Sequence, residues 1–259
     1  MGKIVSIHSF RGGTGKSNTT ANLASQVALS GKRVGIVDTD IQSPGIHVLF
    51  GLDEKKMGRT LNDFLHGKCD IKDVAFSVGE FGTDSEGRAK LSGTNLWLIP
   101  SSIRGREISD VLRNGYDVNR LNEGLQTLLK VLNLDYLFID THPGLNEETL
   151  LSIAISDVLI LILRPDQQDF QGTAVTVDIA RSLDVPNLIL VVNKAISRYD
   201  FDDIRKQVQE KFDAPVAGVM PLNEDLADNG SADIFSLRSP DHPWSKALRG
   251  VAQAVLAIK

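Results

Sequence analysis

A short stretch near the start of the chain carries the residues best suited to binding phosphate. Three glycines, Gly12, Gly13 and Gly15, are followed directly by Lys16 and Ser17. Glycines let the backbone curl so that successive N–H groups converge on phosphate oxygens. A lysine at the start of a helix supplies positive charge for the β- and γ-phosphates, and a serine hydroxyl is a short ligand for Mg²⁺. The stretch therefore predicts a nucleotide site.

The loop departs at one position from the usual pattern G-x-x-x-x-G-K-[ST], because Phe10 stands where the first glycine belongs. A glycine-rich turn without a ligand is the alternative interpretation. A bare turn has no use for a lysine and a hydroxyl at the start of a helix, so the nucleotide interpretation is favoured.

Acidic and amide residues end several of the other predicted strands. Asp38 and Asp40 follow one strand, Asp140 ends a second and Asn193 ends a third. Ligands of a parallel sheet bind beyond the carboxyl ends of its strands. We expect Asp38 and Asp140 to hold Mg²⁺ or its waters and Asp40 to orient or deprotonate the attacking water, while the amide of Asn193 reads adenine. Turn or cap roles are the alternative for each residue, and the alternative is strongest for Asn193.

The elements that must position these residues alternate along the chain. Predicted strands cover residues 3–9, 33–38, 95–100, 135–140, 157–164, 188–193 and 215–221, and predicted helices cover 16–30, 58–66, 104–114, 117–133, 146–155, 168–182, 200–212 and 244–257. Continuous apolar strands that alternate with helices indicate a parallel sheet covered on both faces. The prediction is an α/β fold: a single P-loop NTPase domain over residues 1–259, with a mostly parallel twisted β-sheet and helices on both faces.

Two segments are interpreted separately. Residues 67–94 lose the periodic pattern, which predicts a surface insertion, with a hairpin as its simplest form and a specific contact as its simplest use. The last helix, residues 244–257, has an apolar stripe and few cations. We expect that helix to pack in the core and not to anchor the chain to a membrane, so a membrane partner is disfavoured.

Composition excludes several classes of protein. The 259 residues are 42% apolar and 24% charged, as in ordinary globular domains, and the net charge of −5 argues against a coat of nucleic-acid-binding charge. The single cysteine, Cys69, excludes an internal disulfide and a metal site built from several cysteines of one chain. With no membrane-spanning apolar run and no leader pattern, a cytoplasmic protein is expected.

Several motifs, in order, resemble the ParA/MinD family of deviant Walker A ATPases. They are the glycine loop, D-T-D-I-Q-S-P-G, D-T-H-P-G, V-V-N-K and G-V-M-P, and together they span nearly the whole chain. The resemblance implies ATP and Mg²⁺ as cofactors, a homodimer that forms on ATP binding, and hydrolysis that separates the pair.

The resemblance also implies a role for each matching position. Asp40 is the hydrolytic residue, and Lys16 assists it at the phosphates. The residues implied for phosphate binding are Gly12, Gly13, Thr14, Gly15, Lys16, Ser17 and Asn18; those for Mg²⁺, directly or through water, are Ser17, Asp38 and Asp140; and those for adenine are Asn193 and the segment that starts at Pro221.

One position departs from the family pattern. The family usually carries a lysine where this chain has Arg11, and that lysine reaches the partner's nucleotide across the dimer. Arginine keeps the charge and adds a planar fork suited to phosphate, although such swaps at tight sites are not conservative. We expect Arg11 to act in trans as the equivalent of an arginine finger, with local pairing inside its own chain as the alternative.

The resulting expectation is an ATPase switch that positions or partitions a cargo such as DNA, an organelle or a polar complex. Three alternatives stay open: a metallochaperone or nitrogenase-iron-protein relative, a small-molecule ligase or kinase, and a nucleotide-gated adaptor with negligible hydrolysis. A stimulating protein and non-specific DNA are further expected partners. The candidate DNA-binding cations, which ordinary solvated helix faces also explain, are Arg198, Arg205, Lys206, Lys211, Arg238, Lys246, Arg249 and Lys259.

The histidines show no metal-ligand spacing and are interpreted as structural or loop residues. They are His8, His47, His66, His142 and His242. His142 follows Asp140 by two residues and could sense the γ-phosphate, but a solvated loop histidine is the favoured interpretation.

Overall fold

The computed structural model describes residues 2–80 and 85–258, so Lys259 and residues 81–84 of the expected insertion lie outside the described residues. The strands are β1 Lys3–His8, β2 Val34–Asp38, β3 Phe76–Ser77, β4 Leu96–Ile99, β5 Tyr136–Asp140, β6 Val158–Leu163, β7 Leu188–Ala195 and β8 Val216–Pro221. The helices are α1 Lys16–Leu29, α2 Ile46–Leu49, α3 Leu61–Leu65, α4 Glu86–Ala89, α5 Gly105–Asn114, α6 Val118–Val131, α7 Glu147–Ala154, α8 Gln167–Ser182, α9 Phe201–Phe212, α10 Glu224–Asp228, α11 Phe235–Arg238 and α12 Pro243–Ala257.

The strands form one sheet in the order β3-β4-β2-β5-β1-β6-β7-β8. Neighbouring strands are parallel, except that the short edge strand β3 runs antiparallel to β4. Strand β1 lies between β5 and β6, so the glycine loop that follows it leaves the sheet near its centre. The predicted single α/β domain with a mostly parallel sheet is confirmed.

Both faces of the sheet are buried, which explains why the strands read as unbroken apolar runs. In β6 the side chains of Val158, Ile160 and Ile162 join the core on one face, with helices α1, α11 and α12. The intervening Leu159 and Leu161 join the core on the other face, with α8 and α9. A third cluster packs α3 and α6 on β5. Each fully buried aliphatic side chain contributes about 1.5–3 kcal/mol to folding.

The strand register brings the predicted acids to one edge of the sheet. Asp38, the last residue of β2, pairs in register with Asp140, the last residue of β5. On the other side of β5, Ile7 of β1 pairs with the same Asp140. Three strands therefore end at one level, and the glycine loop begins there.

Residues 67–94, expected as a surface insertion, contribute both to the edge of the sheet and to the core. Val74, Val78 and Leu91 are buried, and β3 pairs with β4 as one arm of a hairpin-like edge. Helix α4 is bonded to the rest of the domain by Asp233, whose carboxylate accepts from the N–H groups of Gly87 and Arg88, at 2.9 and 3.0 Å. The described part of the segment is thus packed against the domain.

The terminal helix packs as expected. The apolar side chains of α12 that are fully buried are Trp244, Leu248, Val251 and Val255, and the helix contacts β8 and α1. Helices α2, α4, α10 and α11 were not predicted, because four or five residues are too few to show a helical period. Within the described ranges, no helix is long and apolar enough to cross a membrane.

Candidate nucleotide-binding site

Helix α1 begins with its N-terminal N–H groups available for an anion. Its N-cap is Gly15, which has no side chain to accept from them, and its first turn has no acidic residue. The other long helices of the α/β units are closed differently, because Asp166 caps α8 and Asp200 caps α9 through their carboxylates. An open helix N-terminus with its partial positive charge is a phosphate site.

Two side chains from the end of β7 fix the orientation of the loop peptides. The ammonium of Lys194 donates to the carbonyl oxygen of Gly13 at 2.7 Å, and Nδ2 of Asn193 donates to that of Thr14 at 2.8 Å. In a trans peptide the C=O and the following N–H point in opposite directions. With both carbonyls held toward β7, the N–H groups of Thr14 and Gly15 lie on the opposite side of the loop, where a phosphate can accept from both.

The close packing of the loop explains why glycine stands at positions 15 and 172 and why Phe10 replaces the first glycine of the motif. Gly15 has φ +91°, and a Cβ there would lie 2.5 Å from Nδ2 of Asn193, so another residue would both strain the backbone and displace the amide. Phe10, in place of the first glycine of the motif, lies against Gly172 of α8, where a Cβ would overlap the phenyl ring. The residue that breaks the motif therefore fixes the start of the loop to α8.

Lys16 and Asp140 form a buried ion pair below the loop. Lys16 Nζ lies 3.0 Å from Asp140 Oδ1, with 7% and 1% of the two side chains exposed. The hydroxyl of Thr20, one turn further along α1, donates to the same oxygen at 3.1 Å. Asp140 Oδ2 is buried and has no partner among residues 2–80 and 85–258. An unsatisfied buried carboxylate oxygen is available as a ligand for a cation or for its water.

Asp38 is fully buried beside this pair. Burial, and next the nearby charge of Asp140, raise the pKa of the Asp38 carboxyl well above its usual value, while the charge of Lys16 lowers it. The carboxylate accepts from the N–H of Asp40 at 3.1 Å and from that of Gly45 at 3.3 Å. Two acids share one lysine in this closed space, so a divalent cation bound there would favour the ionised form of Asp38.

Asp40 reaches the rim of the same space. Its Oδ1 accepts from Nδ1 of His142 at 2.7 Å and from the N–H of Ser43 at 3.2 Å. His142, interpreted from the sequence as a solvated loop residue, instead has 23% of its side chain exposed and contacts the predicted hydrolytic residue. That interpretation of His142 was wrong, because the loop after β5 folds back toward the loop after β2.

Two cavities meet at the glycine loop. One, of about 320 Å³, is lined by Ser9, Gly12, Gly13, Thr14, Gly15, Lys16, Ser17, Asn18, Asp40, Ser43 and Pro143. The other, of about 260 Å³, is lined by Gly15, Asn18, Asn193, Lys194, Pro221, Leu222, Asn223, Leu226, Ala227, Gly230 and Ser231. They share Gly15 and Asn18 and so lie side by side, and we name them the phosphate cavity and the base cavity after the ligands predicted from the sequence. A wider groove of about 440 Å³ beside α6 contains none of the predicted site residues.

Comparison with known proteins identifies the family. The family model AAA_31, an AAA domain, matches residues 2–192. The chain belongs to this family. A relative from Methanocaldococcus jannaschii, an uncharacterized ATP-binding protein, is 26% identical over 262 residues, which cover 100% of this chain and 89% of the relative. The iron-sulfur cluster carrier protein of Saccharolobus solfataricus is 28% identical over 272 residues, which cover 98% of this chain and 83% of that protein.

Solved structures agree on the fold of this AAA-family chain. The cell division ATPase MinD of Pyrococcus furiosus superposes with a TM-score of 0.83 at 21% identity, covering 100% of both chains. MinD of Pyrococcus horikoshii, solved in complex with Mg-ADP, superposes with a TM-score of 0.79 at 21% identity, covering 98% of this chain and 96% of that one. The resemblance to the ParA/MinD family is confirmed, with the fold as the property that these structures share.

The residues of this family member fit Mg²⁺. Ser17, Asp38 and Asp140 offer oxygen ligands only, and Asp140 Oδ2 is buried without a partner in the described part of the chain. Oxygen donors of this kind suit Mg²⁺, which binds through one or two protein ligands together with waters and substrate phosphates.

Arg11 does not line the phosphate cavity, although its neighbour Gly12 does. Its side chain is 43% exposed, and Nη1 donates to Oε1 of Gln168 on α8 at 2.6 Å. Its Nε is 3.8 Å from Asp169, a carboxylate that Arg164 already binds with two nitrogens at 3.0 Å. In the single chain Arg11 is therefore bonded to its own α8 while much of its side chain stays exposed, and an action in trans stays a prediction.

Asn193 and Pro221 both line the base cavity. The amide of Asn193 is already engaged, since Nδ2 donates to the loop and Oδ1 accepts from Nε1 of Trp244 at 3.4 Å. Contact between Asn193 and adenine stays a prediction. Lys194 is a site residue that the sequence analysis missed, although it belongs to the V-V-N-K motif. Its position next to Asn193 was the available signal.

Proposed function

We propose that this chain is a Mg²⁺-dependent ATPase that dimerises on binding ATP and uses that cycle to position or partition a cargo. The observation that carries the proposal is the pair of cavities that share Gly15 and Asn18. One is lined by the glycine loop and Asp40, and the other by the aliphatic side chains of Leu222 and Leu226. A phosphate chain beside an apolar base is the chemistry of a nucleoside triphosphate.

The residues around the phosphate cavity divide the work of hydrolysis. Lys16 and the loop N–H groups bind the β- and γ-phosphates and withdraw charge from them. Asp40 orients the attacking water and accepts a proton from it as the water oxygen bonds to the γ-phosphorus. The bond from that phosphorus to the β–γ bridging oxygen breaks, and ADP leaves with the bridging oxygen. Mg²⁺ bound near Ser17, Asp38 and Asp140 would neutralise charge on the β- and γ-oxygens.

The comparisons support the nucleotide part of this proposal. One relative carries the description ATP-binding protein, and one solved MinD holds Mg-ADP. Dimerisation, the stimulating partner and the cargo come from the resemblance to the ParA/MinD family. We propose that a second copy of the chain closes over the ATP, and that Arg11, exposed beside the loop, contacts the partner's phosphates.

The similarity to an iron-sulfur cluster carrier protein raises a second candidate, which the residues do not favour. Protein-bound clusters need several cysteine thiolates, and the sequence has only Cys69. Burial raises the pKa of the Cys69 thiol, and the acidic neighbours add to that effect, so the thiolate is disfavoured. The single cysteine also suits the cytoplasmic location that we propose.

A DNA-binding face is the less supported part of the proposal. Several of the candidate cations are already engaged: Arg205 donates to the carbonyl of Val216, Lys211 lies over the ring of Phe170, and Arg249 donates to the carbonyl of Pro240. Charges engaged in this way explain the helix faces without a nucleic acid. A cargo that is bound through a partner protein fits the net charge of −5 better.

Light scattering of the purified chain tests the proposal most directly. The mass is measured without nucleotide, with ADP and with ATP, each with Mg²⁺, while release of inorganic phosphate is followed in parallel. We expect a dimer with ATP only, and its loss as ATP is consumed. A mass that ignores nucleotide, together with turnover that requires an added small acid, would support the ligase or kinase alternative. A dimer without phosphate release would support the adaptor.

A further inference from the structure

We propose that His142 is a positioning residue for hydrolysis, which holds the carboxylate of Asp40 in the orientation that the attacking water requires. The proposal rests on the proposed function, because it takes Asp40 as the residue that orients this water. It adds a residue, outside the predicted site, through which the loop after β5 controls the loop after β2.

The hydrogen bonds of Asp40 are distributed unevenly between its two oxygens. Oδ1 accepts from Nδ1 of His142 at 2.7 Å and from the N–H of Ser43 at 3.2 Å. Oδ2 accepts no hydrogen bond from any residue in the described ranges. A carboxylate without a proton can only accept, so the proton of the shared bond lies on Nδ1 of His142. One oxygen is therefore fixed by two donors, and the other is available to a water.

The environment makes the bond a strong constraint. Only 11% of the Asp40 side chain and 23% of the His142 side chain are exposed. A hydrogen bond to a charged acceptor at this length is at the strong end of the range, and limited exposure reduces its competition with water. Without it, the Asp40 side chain would keep only the longer bond from Ser43 and could rotate about its own bonds.

The lining of the phosphate cavity shows that His142 acts through Asp40. Asp40 and Ser43 line that cavity, and His142 does not. Asp40 therefore lies where a water could approach the γ-phosphate, with His142 behind it. This arrangement resembles the general pattern in which one residue performs the proton transfer and another fixes its orientation.

The loop that carries His142 is itself bonded to strand β1 and to helix α7. The hydroxyl of Thr141 donates to the carbonyl of Ile7 at 3.0 Å, so it must accept from Nδ1 of His8, 2.8 Å away. On the other side, the hydroxyl of Thr149 donates to the carbonyl of His142 at 3.4 Å. The loop after β5 is thus bonded to β1 and to α7, and it presents the imidazole from a fixed backbone. A free loop histidine would lack this support.

Two amide substitutions distinguish two possible roles of the His142 side chain: orienting Asp40 through a hydrogen bond, or only filling the space beside it. His142→Asn places an amide nitrogen close to the position of Nδ1, whereas His142→Gln places it close to that of Nε2. Steady-state hydrolysis of ATP with Mg²⁺ gives kcat and KM, and calorimetry with a non-hydrolysable ATP analogue gives affinity. His66→Gln is the matched control, because its ring bonds to the carbonyl of Asn62 and it lines neither cavity at the glycine loop.

We expect His142→Gln and His142→Ala to lower kcat about 10- to 100-fold, as misorientation of a catalytic group does, with KM and affinity within about twofold of wild type. His142→Asn should restore most of the lost rate, and His66→Gln should match wild type. Equal rates for wild type and His142→Gln would overturn the proposal. So would a loss as large in His142→Asn as in His142→Gln, because filling space would then be the whole role.

Two further measurements separate this inference from the proposed function. If Asp40→Asn hydrolyses ATP at the wild-type rate, the proposed role of Asp40 is wrong, and the inference fails with it. If Asp40→Asn is inactive while His142→Gln is fully active, only the inference fails. Nitrogen NMR of histidine-labelled protein without nucleotide should find a proton on Nδ1 of His142 that exchanges faster with solvent in Asp40→Ala. Absence of that proton in wild type would contradict the proposed bond without reference to turnover.

Discussion

Lys16 Nζ lies 3.0 Å from Asp140 Oδ1, and both side chains are buried. The pair lies beside a second buried acid, since Asp38 is the register partner of Asp140 across β2 and β5. Lys16 is therefore the cation that opposes two carboxylates in the single chain. We propose that the same lysine binds phosphate, so that one side chain would serve both the stability of the fold and the binding of nucleotide.

Substitution of Lys16 should expose this double role. Lys16→Met keeps the length of the side chain and removes the charge, leaving a buried carboxylate unpaired at a cost of about 3 kcal/mol in the free energy of unfolding. Urea denaturation at neutral pH measures the loss. The double variant Lys16→Met with Asp140→Asn should recover part of it, because the unpaired charge is gone. In Lys16→Met, ATP with Mg²⁺ should no longer raise the melting temperature. An unfolding free energy unchanged from wild type would contradict the pairing.

Lys194 gives a second prediction, because it holds a loop carbonyl from outside the loop. Its ammonium is 2.7 Å from the carbonyl oxygen of Gly13, and its backbone has φ +59°, an uncommon value for lysine. Lys194→Met should let that peptide rotate and so misdirect the N–H of Thr14. We expect ATP affinity to fall about tenfold, the equivalent of one hydrogen bond to a charged group.

Calorimetry with a non-hydrolysable ATP analogue measures the affinity of Lys194→Met. Lys206→Met is the matched control, since Lys206 is 75% exposed on α9 and forms a long ion pair with Glu210, at 4.0 Å. Both variants lose one positive charge. An equal loss of affinity in the two would show that net charge, and not the orientation of the loop, decides binding.

Much of the fold was predictable because its signals are local. Strands β1, β2, β5 and β6 are buried on both faces, and their sequences are mostly apolar, with β6 apolar throughout. Helices α2, α4, α10 and α11 and the two-residue strand β3 were missed, because a period is hard to see in so few residues, whereas the short helix α3 was predicted within residues 58–66. Val78 and Leu91 looked isolated in the sequence, yet each is buried against elements far away along the chain.

The site was predictable to the extent that its residues follow strands. Asp38 and Asp140 end neighbouring strands, and the fold rule for parallel sheets brings such ends together. The contact between His142 and Asp40 spans 102 positions and depends on how two loops fold toward each other. No local pattern encodes that approach, so His142 could be assigned only from the structure.

Arg11 gives a third prediction, on the assembly of the dimer. Its side chain bonds to Gln168 in its own chain, is 43% exposed and does not line the phosphate cavity. Arg11→Ala should therefore bind ATP with an affinity within about twofold of wild type, whereas its ATP-dependent dimer should be lost, because a phosphate contact in trans is worth a large share of the closed state.

Light scattering and calorimetry on the same Arg11→Ala sample check both halves of that prediction. Arg11→Lys should recover the dimer in part, since the charge returns without the planar fork. Arg113→Ala, which removes an exposed arginine from α5, serves as the control for loss of charge. A dimer of wild-type stability in Arg11→Ala would leave local pairing as the role of Arg11.

His8 gives the last prediction, on the pH dependence of stability. The imidazole is fully buried, and burial, followed by the charge of Lys16, lowers its pKa to about 3. In the unfolded chain the pKa of the imidazole returns to its ordinary value of 6.5. Protonation therefore favours the unfolded state, and stability present above pH 6.5 is lost progressively as the pH falls toward 3. Between pH 7.5 and pH 5 this histidine alone should lower the free energy of unfolding by about 2 kcal/mol.

His8→Asn keeps a donor for Thr141 and cannot titrate, so urea denaturation at several pH values should show a shallower fall in the free energy of unfolding than in wild type. The other shifted acids, Asp38 among them, are common to both proteins and cancel in the difference. Parallel curves for the two proteins would mean that His8 is not held neutral in the fold.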